Sequence, residues 1–155
     1  MKIDITKKEV INLNYILVKS SNDDVEKLIE YKKETVFKYA NNLSEEEKNK
    51  INNYINNNIA SEIKNYCNIV INDNIVGCLL LIDKEDGKLL DEIYLKKEYR
   101  NKGIGTDIIK NITKENNIIY LWVYKSNTKA ISLYKKLGFS IIQEEKTRYY
   151  MKYEK

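Results

Sequence analysis

The stretch Ile93-Tyr94-Leu95-Lys96-Lys97-Glu98-Tyr99-Arg100-Asn101-Lys102-Gly103-Ile104-Gly105-Thr106 decides how this chain is read. Its first residues are apolar and β-prone. Its last open an amphipathic run in which Ile104, Ile108, Ile109 and Ile112 recur with helical period. Two glycines therefore lie between a strand and the N-terminus of a helix. Glycine lets the backbone turn tightly, and the unpaired first-turn N–H groups of a helix attract anions. Arg100 and Lys102 add positive charge at the same point. Taken alone, the loop is equally consistent with an ordinary strand-to-helix turn. It is not a P-loop, since no Lys-Ser/Thr follows Gly105, and Ile108 occupies the third glycine position of a dinucleotide fingerprint.

Working outward, Ile118–Tyr124 is a buried-strand pattern, so strand, helix and strand imply a parallel pair with a right-handed crossover. A helix follows from Asn127 to Leu137, with Ala130, Ile131, Leu133, Tyr134 and Leu137 inward and Gly138 closing it. Phe139–Glu145 and Arg148–Tyr153 read as two further strands. Upstream, residues 67–71 and 75–82 flank Asn-Asp-Asn as a hairpin, and a turn at Lys84–Gly87 leads into a strand from Lys88 to about Lys96. Before the hairpin, Tyr15–Val18 is a short strand, and Ser21–Asp24 caps a helix running to about Ala40. Ser44 with Glu47 is a capping box for a second helix with the stripe Ile51, Tyr54, Ile55, Ile59 and Ile63.

The loop and its flanks resemble the GNAT superfamily of N-acetyltransferases. Its acyl-coenzyme A motif, Arg/Gln-x-x-Gly-x-Gly/Ala, is met at Arg100, Gly103 and Gly105, and a family proline in the preceding bend is replaced, at Lys97. The family's later Asn, Ala, Leu-Tyr and Gly-Phe are matched by Asn127, Ala130, Leu133-Tyr134 and Gly138-Phe139. The resemblance covers about residues 67–153. It implies a single-domain α/β fold over 1–155, with a mixed, mostly antiparallel sheet, a central splayed parallel strand pair and about four helices. Within it, 1–13 form an undetermined arm, about 21–64 the acceptor-side helices and about 67–153 the acetyl-coenzyme A core.

The resemblance also implies roles. The co-substrate is acetyl-coenzyme A, bound by Leu95 through its main chain, by Arg100, Asn101, Lys102, Gly103, Ile104, Gly105 and Thr106 at the pyrophosphate, and by Asn127 at the pantetheine arm. Asn127 is equally suited to cap its helix. Tyr134 resembles the general acid that protonates the leaving thiolate, though it also falls on its helix's apolar stripe. The chain has no histidine, which removes the usual general base and the common zinc sets. A carboxylate must then take the amine's proton. Asp91 and Glu92 are the candidates, and they point to opposite faces because strand side chains alternate, so only one can face the substrate. Asp91 is favoured because it shares parity with Ile93 and Leu95. No metal is expected.

Composition bounds the rest. A length of 155 residues suits one domain, and 43% apolar with 32% charged residues is ordinary for a folded chain. The N-terminal residues lack a secretory pattern, so the cytoplasm is the expected location and no membrane partner is expected. Cys67 and Cys78 read as reduced core residues. The net charge of +4 is spread along the chain, which argues against nucleic acid as a partner. The expected acceptor is a small-molecule, polyamine, aminoglycoside-like or protein amine. A coenzyme A-binding sensor without turnover, an RNA-directed acetyltransferase toxin and a homodimer all stay open on sequence alone.

Overall fold

The computed structural model describes residues 14–155. The 1–13 arm lies outside the described residues. One seven-stranded sheet, in the order β1-β2-β3-β4-β5-β7-β6, carries helices on both faces. The strands are β1 Ile16–Lys19, β2 Tyr66–Ile71, β3 Asn74–Asp83, β4 Lys88–Leu95, β5 Ile118–Tyr124, β6 Ser140–Glu144 and β7 Arg148–Glu154. The helices are α1 Val25–Tyr39, α2 Glu45–Asn58, α3 Ile104–Glu115 and α4 Thr128–Lys136. All pairings are antiparallel except β4 with β5. The expected mixed sheet with one parallel pair is therefore present.

Local chemistry accounts for the boundaries. Ser44 Oγ accepts from the Glu47 N–H and the Glu47 carboxylate accepts from the Ser44 N–H, so α2 starts on a complete capping box. The β2–β3 hairpin turns on Asn72 and Asp73, with φ of 49° and 62°, left-handed values that Asn and Asp tolerate. Gly77 lets β3 approach β4: a Cβ there would stand 1.9 Å from the Tyr94 carbonyl oxygen.

Two apolar layers flank the sheet. On one face, Ile104, Ile108, Ile109 and Ile112 of α3 and Tyr134 of α4 pack with Leu79, Leu90, Ile119, Leu121 and Val123. On the other, Leu28, Tyr31 and Val36 of α1 and Ile55 of α2 pack with Tyr66, Cys78, Leu80 and Tyr94.

Several expectations shift. The first helix begins with a 3-10 turn at Asn22–Asp24 and becomes α-helical at Val25. The α2 stripe is incomplete: Tyr54 is 67% exposed, and Ile59 and Ile63 lie beyond the helix, because the chain passes into a 3-10 turn at Ala60–Asn65. Cys67 is opposite Leu79 and Cys78 opposite Asn68, so the two thiols lie on opposite faces of the sheet. Both are free.

The largest departure is in β4. Leu80 pairs with Glu92 but the next residue, Leu81, pairs with Leu90, leaving Asp91 as the extra residue of a β-bulge. Regular alternation is broken there. The parity that linked Asp91 with Ile93 and Leu95 does not hold, and Glu92 turns onto the α1/α2 face, where it is buried.

Candidate active site

After β4 the chain makes a 3-10 turn at Lys97–Tyr99 and enters the glycine loop. Asn101 and Gly103 have φ of 61° and 85°, and Gly103 is the N-cap of α3. The Asp107 N–H donates to the Gly103 carbonyl, 3.0 Å away, closing the first turn. Among the described residues, none of the backbone N–H groups of residues 101–106 has a hydrogen-bond acceptor. Such free donors at a helix N-terminus make the loop a candidate cradle for an anion with several oxygens. Gly103 and Gly105 face open space: an ideal Cβ meets nothing within 4 Å at the former and only Leu95 Cδ1, at 3.9 Å, at the latter.

The side chains contribute unequally. Ile104 is buried in the core and offers only its main chain, while Asn101 and Lys102 are exposed at the loop. Lys129 of α4 contacts Asn101 Oδ1, which brings a further positive charge beside the loop. Arg100 does not face the cradle. Its Nε donates to the Leu95 carbonyl at 2.7 Å and its Nη2 to Glu34 Oε1 of α1 at 2.9 Å, and its guanidinium lies 5.2 Å from the centre of the Tyr94 ring. The Tyr94 hydroxyl donates to the other Glu34 oxygen. These contacts hold the Glu34 carboxyl below the usual carboxylate range, through the Tyr94 hydrogen bond first and then Arg100.

Beside the loop the sheet opens. β4 and β5 pair only at Lys88–Ile119, Leu89–Tyr120 and Leu90–Leu121, so both strands continue past the last pair without each other. A cavity of about 610 Å³ occupies the α1/α2 side of this gap, lined by residues including Asp91, Glu92, Tyr124, Asn127 and Tyr134. The structure thus brings together both carboxylates, the pantetheine candidate and the tyrosine. The expectation that only one of Asp91 and Glu92 could face the site is corrected, since the bulge lets both line it.

Their environments differ. Asp91 is exposed, whereas Glu92 is only 7% exposed. Glu92 Oε2 accepts from the Tyr66 hydroxyl at 2.6 Å and stands 3.8 Å from Lys32 Nζ of α1. Burial raises its carboxyl, opposed by Lys32 and then by the Tyr66 hydrogen bond. Tyr134 is 9% exposed, with its ring tilted against Phe139 at 5.7 Å. Burial pushes its hydroxyl up to about 12. Asn127 Oδ1 accepts from the Ala130 N–H at 3.3 Å, so the residue caps α4 while lining the cavity.

The family model for the acetyltransferase (GNAT) domain matches residues 64–141, half of the chain. The chain belongs to the GNAT acetyltransferase family. This GNAT domain is similar in sequence to the uncharacterized N-acetyltransferase YobR of Bacillus subtilis, 40% identical over 78 residues, which are 47% of this chain and 31% of that protein. It is also similar to the thialysine N-epsilon-acetyltransferase of Sus scrofa, 44% identical over 54 residues, 32% of each chain. The matched stretch thus spans about a third of these relatives. In fold it is similar to the PaiA N-acetyltransferase of Thermoplasma acidophilum in complex with coenzyme A: 24% identity, TM-score 0.71, covering 92% of this chain and 99% of that one.

Sequence reasoning missed Lys32, Glu34 and Tyr66, and also Trp122 and Arg148, which line the cavity. The alternation of β5 places Trp122 opposite Val123 and could have marked it. Tyr66 and the α1 residues depend on cross-strand register and helix docking, which no local pattern carries. Among the described residues, no group of His, Cys, Asp or Glu side chains could hold a metal ion, and no helix is long and apolar enough to cross a membrane.

Proposed function

We propose that this GNAT domain transfers an acetyl group from acetyl-coenzyme A to a primary amine by direct attack in a ternary complex. The observation that carries the reading is the juxtaposition of an open six-donor anion cradle with a strand gap whose cavity holds Glu92 and Tyr134. In this reading the cradle binds the pyrophosphate through main-chain N–H groups of residues 101–106, with Lys102 adding charge. The pantetheine arm runs along β4 toward Leu95 like an added strand. Asn127 keeps Oδ1 on its cap and turns its amide N–H toward that arm. Arg100 braces the loop from behind.

Glu92 takes the proton of the attacking amine, directly or through water. Its burial raises the carboxyl toward the pH at which a base works best. Asp91, exposed on the bulge, is a second acceptor-side charge. Tyr134 stays protonated at neutral pH. With its hydroxyl at about 12, complete transfer to a thiolate, whose conjugate acid has a pKa of about 8.5, is uphill, so its main action is a hydrogen bond to the developing charge.

The test is thiol release from acetyl-coenzyme A across a panel of small, aminoglycoside-like, polyamine and peptide amines, paired with Glu92→Gln. Amine-dependent release that Glu92→Gln abolishes is expected. Coenzyme A binding with no release from any amine would favour a sensor and sink the proposal.

A further inference from the structure

Glu92 is surrounded by groups that the reaction outlined above leaves without a role. Tyr66 begins β2, and its cross-strand partner Leu80 is itself the partner of Glu92, so the three lie in one row across the sheet. The long phenol spans Leu80 and brings its hydroxyl to Glu92 Oε2 at 2.6 Å. Lys32 reaches the same oxygen from α1 at 3.8 Å, with its side chain 24% exposed. Cys78 of β3 is the remaining neighbour, its thiol 3.7 Å from Oε1. Burial pushes that thiol up, so it remains neutral and donates only weakly. Asp91, on the same strand, is a nearby like charge.

The two carboxylate oxygens are therefore unequal. Oε2 has a phenol and an ammonium; Oε1 has a thiol. We infer that Tyr66 and Lys32 are positioning residues for Glu92, fixing Oε2 and supplying the counter-charge that holds the buried carboxylate ready to take the proton. The inference rests on the reading of Glu92 as the base. In the step it serves, an N–H bond of the attacking amine breaks and an O–H bond forms at the Glu92 carboxylate, and the proton leaves to solvent after product departs. Without its two partners the buried carboxylate would be protonated at higher pH, because hydrogen bonds and opposite charge favour the ionised form.

Carboxyl-carbon NMR titration of the full chain, with Glu92 assigned by its loss in Glu92→Gln, reads the effect directly. Tyr66→Phe and Lys32→Met should each raise the Glu92 midpoint by about one pH unit, as expected for one charge-assisted contact. Lys32→Arg should restore it. Thiol release should fall in proportion to the protonated fraction, with coenzyme A affinity by calorimetry unchanged. Lys32 is half-buried, so its variants test the idea even if Tyr66→Phe does not fold. An unmoved midpoint in Lys32→Met, and in Tyr66→Phe where folded, overturns the positioning role. Wild-type release by Glu92→Gln overturns instead the assignment of the base.

Discussion

Replacing Gly103 by valine separates the anion cradle from the fold that supports it. Gly103 has φ of 85° and ψ of 1°. An L side chain in this left-handed region costs about 1–2 kcal/mol. For a domain of this size each 1 kcal/mol lowers Tm by about 2–4 °C, so a fall of roughly 2–8 °C is expected. Domains are commonly stable by about 5–15 kcal/mol, so at 25 °C more than about 99% of the variant stays folded. Binding responds differently. The space before Gly103 is open within 4 Å, and an isopropyl group would fill it beside the free N–H groups of the loop. Losing two charge-assisted hydrogen bonds at about 1.5–3 kcal/mol each weakens coenzyme A by roughly 100-fold to 20,000-fold. Gly105→Ala is the control. Its Cβ would make ordinary contact with Leu95 Cδ1 at 3.9 Å and its φ is not positive, so the protein should gain up to about 0.5–1 kcal/mol and keep its ligand. Calorimetry with coenzyme A and thermal unfolding of all three proteins supply both quantities. A Gly103→Val protein that binds with the wild-type Kd refutes the cradle, and an equal loss in Gly105→Ala refutes the division between the two glycines.

Tyr134→Phe should lower thiol release by about 100-fold or more while calorimetry finds unchanged coenzyme A affinity; a rate within a few-fold of wild type would leave Tyr134 with packing alone. The same residue bears on alkaline stability. Its hydroxyl stands at about 12 in the folded chain against an ordinary 10, so the folded state holds the proton more tightly. That contribution is complete below pH 10 and is lost as pH rises through about 12, a change of the order of 3 kcal/mol. Denaturant unfolding across this range should therefore decline less steeply in Tyr134→Phe. Outside the anion loop, Ser44→Ala removes the α2 cap and should cost about 1 kcal/mol in urea unfolding, with the Kd for coenzyme A unmoved.

What the sequence discloses is what local periodicity and turn chemistry encode. The α3 stripe of Ile104, Ile108, Ile109 and Ile112 is apolar at helical spacing and is buried in full. Ser44 and Glu47 announce a helix start, and Asn72-Asp73 a hairpin. The cradle was legible because a strand, two glycines and a helix in that order leave few other conformations. Arg100 was less so: its charge made it a phosphate contact on paper, whereas Glu34, sixty-six residues earlier, draws it to α1. No local signal records that choice. Tyr54 fails for a related reason. It has the right spacing for the α2 stripe, but Ile51 and Ile55 are the α2 residues that join the core with α1 and the sheet, and Tyr54 is left exposed along the cavity.

The choice between Asp91 and Glu92 turned on a single inserted residue. In a regular ladder continuing from Leu81–Leu90, residue 91 would face Leu80 and residue 92 would face Leu79, whose side chain belongs to the α3/α4 core. The bulge advances the register by one, so Glu92 meets Leu80 and joins Tyr66 and Lys32 on the opposite face. A bulge also bends its strand and increases local twist. The last β4–β5 pair is Leu90–Leu121, immediately before it, so the strand gap opens where the bulge begins. The extra residue at Asp91 thus accounts together for the gap and for the aim of Glu92 into the cavity beside it. A sequence pattern read with period two cannot see such an insertion, because Asp91 and Glu92 are both acidic and the shift leaves composition unchanged.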